Sequence, residues 1–151
     1  MDITKIQADL RLLNTRITKM NVKNSLAEFN ETTPGKKTID VSYDIVDQDI
    51  VNDNVCRAVL DLSVNLKAKY KQGSFNIHAT IRGAFESTPN MDVDTFRNML
   101  QINGCAALYS IIRGTISIVS TQLFSNGNIV LPLVNFVNFK NLKENDTVSS
   151  N

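Results

Sequence analysis

Residues 55–70 alternate strictly between apolar and polar side chains, and no other feature of this 151-residue chain constrains the fold as much. Alternation with a period of two is typical of a β-strand that has one buried and one hydrated face. The pattern resumes at Phe75 and runs to Phe85, after the turn residues 71–73, so the two runs predict an antiparallel hairpin. Its predicted buried residues are Cys56, Ala58, Leu60, Leu62, Val64, Leu66, Ala68, Tyr70, Phe75, Ile77, Ala79, Ile81, Gly83 and Phe85.

Two further strands are predicted upstream of this hairpin. Apolar and polar residues alternate over 38–45, and segment 47–54, which is rich in aspartate and asparagine, predicts a turn after that strand. Residues 10–29 change parity partway, which a long strand with a bulge near Thr18 explains. A helix over part of residues 3–14 is the competing interpretation of the start of the chain.

Two helices are predicted after the last strand. Asp92 or Asp94 is suited to cap a short first helix, and Gly104 is expected to interrupt the helical pattern. A longer helix is then predicted from Cys105 to Leu123. Its apolar and small residues extend nearly all round, whereas a surface helix needs an apolar face of only about 100°. We therefore expect this helix to be buried both by its own sheet and by a second subunit.

The C-terminal part of the chain has weaker signals. A final short helix is expected to begin within residues 134–139, and the polar residues 140–151 predict a disordered tail. No repeat or second domain is visible, so residues 1–139 are predicted to form one domain of the α+β class. Its architecture is a four-stranded antiparallel sheet with one long and one or two short helices packed on one face.

The sequence lacks the groups of residues that most enzymes use. It has one histidine, two cysteines that form no C-x-x-C pair, and six glycines of which no two are separated by a single residue. A histidine-rich zinc site and the glycine-rich phosphate loops are therefore excluded, and we predict no catalytic residue, metal or cofactor. A net charge of +1 argues against nucleic acid as a partner.

For a few polar or reactive residues, the sequence allows a structural and a functional interpretation. His78 is predicted on the hydrated face of its strand, where it is either a solvated side chain or a group for proton transfer or pH sensing. Asp40 and Asp44 share one strand face, and exposed aspartates at this spacing usually serve solubility rather than acid–base catalysis. Cys56 fits a small buried side chain.

The sequence also predicts where the protein acts. The N-terminus lacks the basic start and long apolar run of a secretory signal. The most apolar stretch, residues 104–124, contains Arg113, and a membrane span tolerates an arginine at mid-depth poorly. We expect a cytoplasmic protein without membrane insertion, in which both cysteines stay reduced.

Phenylalanine is the residue type that the predicted core does not fully explain. The chain has seven, and Phe136 and Phe139 lie near its end with little sequence left to cover them. They either close the edge of the core or line an open apolar groove that accepts extended polypeptide.

The order of these elements resembles that of the SecB protein-export chaperones. Four antiparallel strands precede a crossover, a long apolar helix and a terminal segment with a proline, and the resemblance covers residues 10–139. The segment 131–136 is its most specific part. The residues that carry the resemblance are Arg16-Ile17-Thr18-Lys19, Gly83-Ala84-Phe85, Leu108-Tyr109-Ser110-Ile111-Ile112-Arg113 and Leu131-Pro132-Leu133-Val134-Asn135-Phe136.

The resemblance implies a homotetramer, built as a dimer of dimers. In that family the first strands help to pair subunits, and the long helices pack between dimers. The helix residues expected at this oligomer interface are Leu108, Ile112, Ile116 and Val119.

The resemblance also implies ATP-independent holding of unfolded polypeptides in an apolar groove. Phe75 and Phe136 match groove aromatics of the family by position. Tyr43, Leu133 and Phe139 are added to this peptide-binding set because we expect them nearby.

One departure from the family concerns the SecA motor. Members that deliver cargo to SecA use an acidic patch on the hydrated face of the sheet. Here Met20 or Asn21, and His78, occupy the corresponding places, and the face mixes basic and acidic residues. Such a face would attract a basic partner weakly, so docking to SecA is in doubt.

Three functions are therefore compared. The first is a holding chaperone for unfolded polypeptides, with a role in protein export. The alternative is a dedicated SecB-like binding module for one client, such as an antitoxin, without delivery to SecA. An enzyme is the third and is disfavoured by the missing chemistry.

Overall fold

A computed structural model describes residues 8–51 and 54–148 of the chain. The strands form one antiparallel sheet in the order β1-β4-β3-β2, as the predicted fold class requires. Helices pack on one face of this sheet, and we call the opposite, hydrated face the outer face. The elements are β1 (Leu10–Asn24), β2 (Lys36–Val51), β3 (Val55–Tyr70), β4 (Gly73–Ser87), α1 (Val93–Met99), α2 (Cys105–Leu123) and α3 (Phe136–Val148).

The predicted hairpin is confirmed and forms the centre of the sheet. β3 pairs with β4 along its whole length, from Arg57 opposite Glu86 to Tyr70 opposite Gly73. The alternating apolar residues of both strands face the helices and are almost completely buried. Cys56 is among them, with 1% of its surface exposed. This central hairpin therefore supplies the larger part of the core that the helices cover.

The edge strands contain bulges that reverse the parity of their side chains. The pairing of β1 with β4 shifts between Ile17 and Lys19, which confirms the bulge predicted near Thr18. A second shift lies between Leu12 and Asn14. The alternative helix is contradicted for residues 10–14, which belong to β1, while residues 3–7 lie outside the described part of the chain.

β2 is longer than predicted. It continues to Val51, through most of the segment expected to form an acidic turn. The register with β3 shifts between Ile45 and Asp47, so that Val46 is an extra residue. This bulge reverses the parity, and Asp47 and Asp49 therefore stay on the hydrated outer face while the strand continues.

Gly104 does not interrupt the helical region. A π-helical turn over Leu100–Gly104 joins α1 to α2 without a break. Gly104 is buried, and a Cβ there would lie 3.2 Å from a Leu60 methyl carbon, so the glycine serves close packing on the sheet. The continuous helix is long and apolar enough to cross a bilayer, but its apolar stripe packs on the sheet of the same chain. Asp92 caps α1, because its carboxylate accepts a 2.8 Å hydrogen bond from the Thr95 amide.

The segment expected to be a disordered tail forms a helix as far as Val148. The Asn135 side chain caps α3 by accepting hydrogen bonds from the Val137 and Asn138 amides, at 3.1 and 3.2 Å. Contacts with the rest of the chain stabilise this helix. They explain why the polar composition of the segment wrongly predicted disorder. Residues 149–151 lie outside the described part of the chain.

Candidate site: an apolar strip between two aromatic clusters

The helix-facing side of β2 is only partly covered. Ile39, Val41, Tyr43 and Ile45 pack against the core but stay half-buried, whereas the β3 residues opposite them have no exposed surface. We call these four residues the β2 strip. β2 is also an edge strand, so one side of its backbone has no strand partner within the sheet. An extended polypeptide could therefore meet apolar side chains and unpaired backbone groups at the same place.

The first aromatic cluster adjoins the start of β2. Its ring centroids lie between 5.4 and 6.5 Å apart, as is usual for aromatic rings that pack edge-to-face or stack. Gly35, just before β2, lies directly against the Tyr70 ring. We call this group the hairpin cluster; its members are Phe29, Tyr70, Phe75 and Phe124.

The second aromatic cluster includes a residue of the strip itself. Tyr43 lies 6.0 Å from Phe139, which lies 5.8 Å from Phe136, which lies 5.7 Å from Tyr109, all between ring centroids. Lys143 of α3 places its ammonium group 4.1 Å from the centre of the Tyr43 ring. We call these four rings the helix cluster. The strip is thus bounded by aromatic rings on both sides.

A non-helical segment, residues 125–135, connects the two clusters, and we call it the strap. It is anchored to α2 by side chains of the helix. The Tyr109 hydroxyl donates to the Pro132 carbonyl at 2.7 Å, and the Arg113 Nε donates to the Leu131 carbonyl at 2.6 Å. Arg113, the charged residue in an otherwise apolar helix, therefore has a structural role that the sequence pattern did not reveal.

The strap leaves apolar groups exposed beside its anchors. Ile129 and Leu131 point inward and are 2% and 1% exposed, whereas Val130 is 49% exposed. Leu133 is 83% exposed, the highest value among the large exposed hydrophobic residues of the described chain. Such residues are available for contact with a partner.

A second connection, residues 25–35 between β1 and β2, closes the hairpin cluster. The Phe29 amide donates to the Asn126 carbonyl at 3.0 Å, which ties this connection to the strap. A groove of about 470 Å³ lies between the connection and Tyr70, with Leu26 and Phe29 in its wall. This groove was not predicted from the sequence, because it depends on a long-range contact between residues 28 and 126 that no local pattern indicates.

The five residues predicted to bind peptide lie at different depths. Phe75 is 2% exposed and Phe136 is 4% exposed, so both belong to the core. Tyr43 and Phe139 are half-buried, and Leu133 is exposed. The prediction that Phe75 and Phe136 line an open groove is therefore corrected. Each ring is covered by the other rings of the cluster to which it belongs. Phe136 is also the first residue of α3, and this helix packs beside its ring.

The predicted oligomer interface also needs correction. Leu108, Ile112 and Ile116 have no exposed surface, because they pack on the sheet of their own chain. Val119 is half-buried. The first three side chains therefore have no surface left to bury against a second copy.

The outward side of α2 is the face that remains available. Ile111 and Ile118, seven residues apart, are 39% and 69% exposed. The small residues Ala106, Ser110 and Gly114 are exposed on the same helix. Seven residues are about two helical turns, so the two isoleucines share one face, and small neighbours would let another helix approach closely.

Burial raises the pKa of the tyrosine and cysteine side chains around the strip. It raises the pKa of Tyr43, to which Cys105 and Glu144 add smaller contributions. Burial likewise raises the pKa of Tyr70 and Tyr109, and it raises that of the Cys105 thiol to about 12. At neutral pH the site therefore offers apolar contacts and neutral hydroxyl groups rather than a thiolate nucleophile. In residues 8–51 and 54–146, no three His, Cys, Asp or Glu side chains are grouped to hold a metal ion.

The outer face is polar and contains two ionic groups. The Glu86 carboxylate accepts a 2.7 Å hydrogen bond from the Arg57 Nε and also contacts Arg11, and these guanidinium groups hold its pKa below the ordinary value. Arg82 and Asp61 form a two-point ion pair with distances of 2.7 and 2.8 Å. His78 lies half-buried on the same face, opposite Asn65 on β3.

A four-stranded antiparallel sheet with one long helix and shorter helices matches the SecB-like fold. The solved structure of the Mycobacterium tuberculosis SecB-like chaperone Rv1957, in complex with a ChAD peptide from the Rv1956 HigA1 antitoxin, matches with a TM-score of 0.61 and 14% sequence identity. The match covers 87% of this chain and 95% of that chain, and it confirms the fold predicted from the sequence.

Other comparisons add little. A protein of unknown function from Streptococcus agalactiae matches with a TM-score of 0.49 and 16% identity, over 82% of this chain and 96% of that one. No protein-family model matches the chain, and no curated protein matches it in sequence.

Proposed function

We propose that the protein is a SecB-like holding chaperone that binds unfolded polypeptide along the β2 strip without ATP. One observation carries this proposal: a half-buried apolar strip lies on an edge strand between two aromatic clusters. The likeness of the fold to a SecB-like chaperone that holds a peptide supports it.

The mechanism that we propose needs no covalent chemistry. Client side chains at alternate positions pack on Ile39, Val41 and Tyr43, while the client backbone pairs with the free edge of β2. Burial of apolar area contributes about 25 cal/mol per Å² whatever the sequence, so binding tolerates many clients. A held client exposes less apolar surface, and aggregation slows.

The strip and the strap are tested by a paired variant. Val41→Ser with Leu133→Ser removes apolar contact area while changing side chains that are half-buried or exposed, so folding should be preserved. We expect about tenfold more protein to be needed to suppress aggregation of a chemically unfolded client, measured by light scattering.

The matched control is Ile17→Ser, on β1 at the other edge of the sheet, where the side chain is 40% exposed. This variant should protect the client as well as the wild type does. If the strip variant protects the client as well as the wild type does, or if the control loses as much protection as the strip variant, the site is elsewhere.

A dedicated module for one client is the second candidate function. The neighbouring structure holds a peptide from an antitoxin, which favours this candidate. Co-purification separates the two functions, because a general chaperone retains many polypeptides and a dedicated module retains one in fixed stoichiometry.

We also propose that the protein assembles as a homotetramer, a dimer of dimers, with the outward side of α2 in one interface. Ile118→Asp places a charge in that interface and should weaken it at least about 100-fold, so the solution mass should fall from near four chains toward a smaller species. The control is Leu142→Asp on α3, which is 65% exposed and should leave the mass unchanged. A wild-type monomer, or an unchanged mass for Ile118→Asp, contradicts this assembly.

The setting that fits this function is the cytoplasm, where the two free cysteines would stay reduced. The proposal includes one step of protein export, the holding of unfolded chains. Delivery to SecA is not expected, because the outer face carries basic as well as acidic residues and would attract a basic partner weakly.

A further inference from the structure

On the outer face of the sheet, the two edge strands carry columns of opposite charge. Exposed lysines outside these columns are Lys36 at the start of β2 and Lys67 and Lys69 on β3. The basic column on β1 is Arg11, Arg16, Lys19 and Lys23, and the acidic column on β2 is Asp40, Asp44, Asp47 and Asp49. Apart from Arg11, which pairs with Glu86, these residues form no ion pair within the described part of the chain. The columns are three strand spacings apart, about 14 Å, so salt screens most of their mutual attraction.

Two rows of residues that pair across the sheet are charged on all four strands, and these two rows follow one rule. From β1 to β2, one row reads Arg16, Arg82, Asp61 and Asp44. The row nearest the α1 end reads Arg11, Glu86, Arg57 and Asp49. The signs are plus-plus-minus-minus and plus-minus-plus-minus. Each row becomes its own charge complement when its order is reversed.

One twofold rotation places the opposite charges of this pattern face to face. When two copies stack outer face to outer face about an axis parallel to the strands, strand order reverses while the rows stay level. Arg16 then faces Asp44 of the second copy, and Arg11 faces Asp49. An axis perpendicular to the strands would instead stack β1 on β1 and oppose like charges.

The rows next to the hairpin turn add no ion pair, and their exposed lysines Lys23, Lys36, Lys67 and Lys69 gather at that end of the contact. Lys23 and Lys67, in the row next to the hairpin turn, would face the uncharged Thr38 and Asn76 of the second copy. Across the described rows from Arg11 to Lys23, no charge is set against one of the same sign.

We infer that the outer face is a docking surface for the outer face of a second copy of this chain, related by a twofold axis parallel to the strands. The contact is isologous, since each copy supplies the same basic and acidic columns. It lies on the side of the sheet away from the β2 strip and from α2, so it goes beyond the proposed chaperone function.

The size of the face is sufficient for such a contact. Strands of 15 and 16 residues span about 50 Å, and four strands span about 19 Å, which gives roughly 900 Å² per copy against about 800 Å² in a typical stable interface. The contact is largely ionic and polar, so it should be weak and should depend on salt.

Solution mass at two ionic strengths tests the inference. At about 50 mM salt and high protein concentration, the mass of the full chain should be at least about twice its value at about 500 mM salt, and larger still if each chain of the α2-mediated assembly uses its own outer face. Arg16→Glu and Asp44→Lys should each weaken this low-salt association about tenfold or more, because each opposes like charges at two symmetric places.

Restoring the complement should restore the association. The double variant R16E/D44K reverses both members of the row and should regain the low-salt mass. An equimolar mixture of the two single variants should regain it too. In a mixed pair, the new negative charge at position 16 of one variant faces the new positive charge at position 44 of the other. Lys71→Glu in the hairpin turn and Glu28→Lys in the β1–β2 connection are controls of equal charge change and should behave as the wild type.

Two results would overturn the inference: single variants that keep the low-salt mass, or a double variant and a mixture that both fail to regain it. Thermal unfolding of each variant verifies that the exposed substitutions leave the fold intact. The client-protection assay reads the opposite side of the sheet, so failure here and failure of the chaperone proposal are separate outcomes.

Discussion

Replacement of both Phe75 and Phe136 by alanine is expected to unfold the protein rather than to empty a binding groove. Both rings are buried, in clusters that share no member. Each truncation should cost about 3–5 kcal/mol, and costs at separate sites add, so the pair approaches the whole stability of a typical domain, about 5–15 kcal/mol.

Urea denaturation measures this directly. Each single variant should show a lower free energy of unfolding, and the double variant should lose its cooperative transition. Leu133→Ala is the control, because an exposed side chain should change stability by less than about 0.5 kcal/mol. A double variant that unfolds cooperatively near the wild-type midpoint would mean that the rings are not core residues.

Gly127→Ala is expected to destabilise the protein by about 2–4 kcal/mol through backbone strain and lost hydrogen bonds. Gly127 has a φ of +86°, and a Cβ there would lie 2.1 Å from the Phe29 carbonyl oxygen. The backbone must therefore move, and the hydrogen bond between Phe29 and Asn126 would break. The hairpin cluster would lose the tie between its two connections.

The same substitution at Gly114 provides the comparison. Gly114 lies within α2, and a Cβ there would meet nothing within 4 Å. In the Ile118→Asp background, in which the α2 interface is weakened, Gly114→Ala should therefore stabilise the chain by about 0.5–1 kcal/mol. Thermal unfolding of the two variants should give shifts of opposite sign, and shifts of the same sign would contradict this account of Gly127.

The sheet was predictable because its signals are local. Alternation over residues 55–70 and 75–85 specifies buried strands, and a two-residue period leaves little freedom of register where one face is buried. The parity change in β1 even predicted a bulge. β2 was predicted too short, because the bulge at Val46 imitates the end of the strand in the sequence pattern.

The site was less predictable because it depends on contacts between distant parts of the chain. An aromatic residue near the C-terminus can be exposed or buried, and only the position of α3 decides which applies to Phe136. The apolar residues of α2 extend nearly all round the helix, so the sequence pattern likewise did not show which of them face the sheet. Leu108 and Ile112 do so, whereas Ile118 does not.

The bulge at Val46 has a consequence for how the protein can change in length. On its N-terminal side the outer aspartates occupy even positions, and on its C-terminal side they occupy odd positions. Loss of Val46 would remove the bulge and leave Asp47 opposite Val59 and Asp49 opposite Arg57, so both aspartates would stay on the outer face. The bulge is therefore a position at which β2 can shorten by one residue without moving any neighbouring side chain to the other face of the sheet.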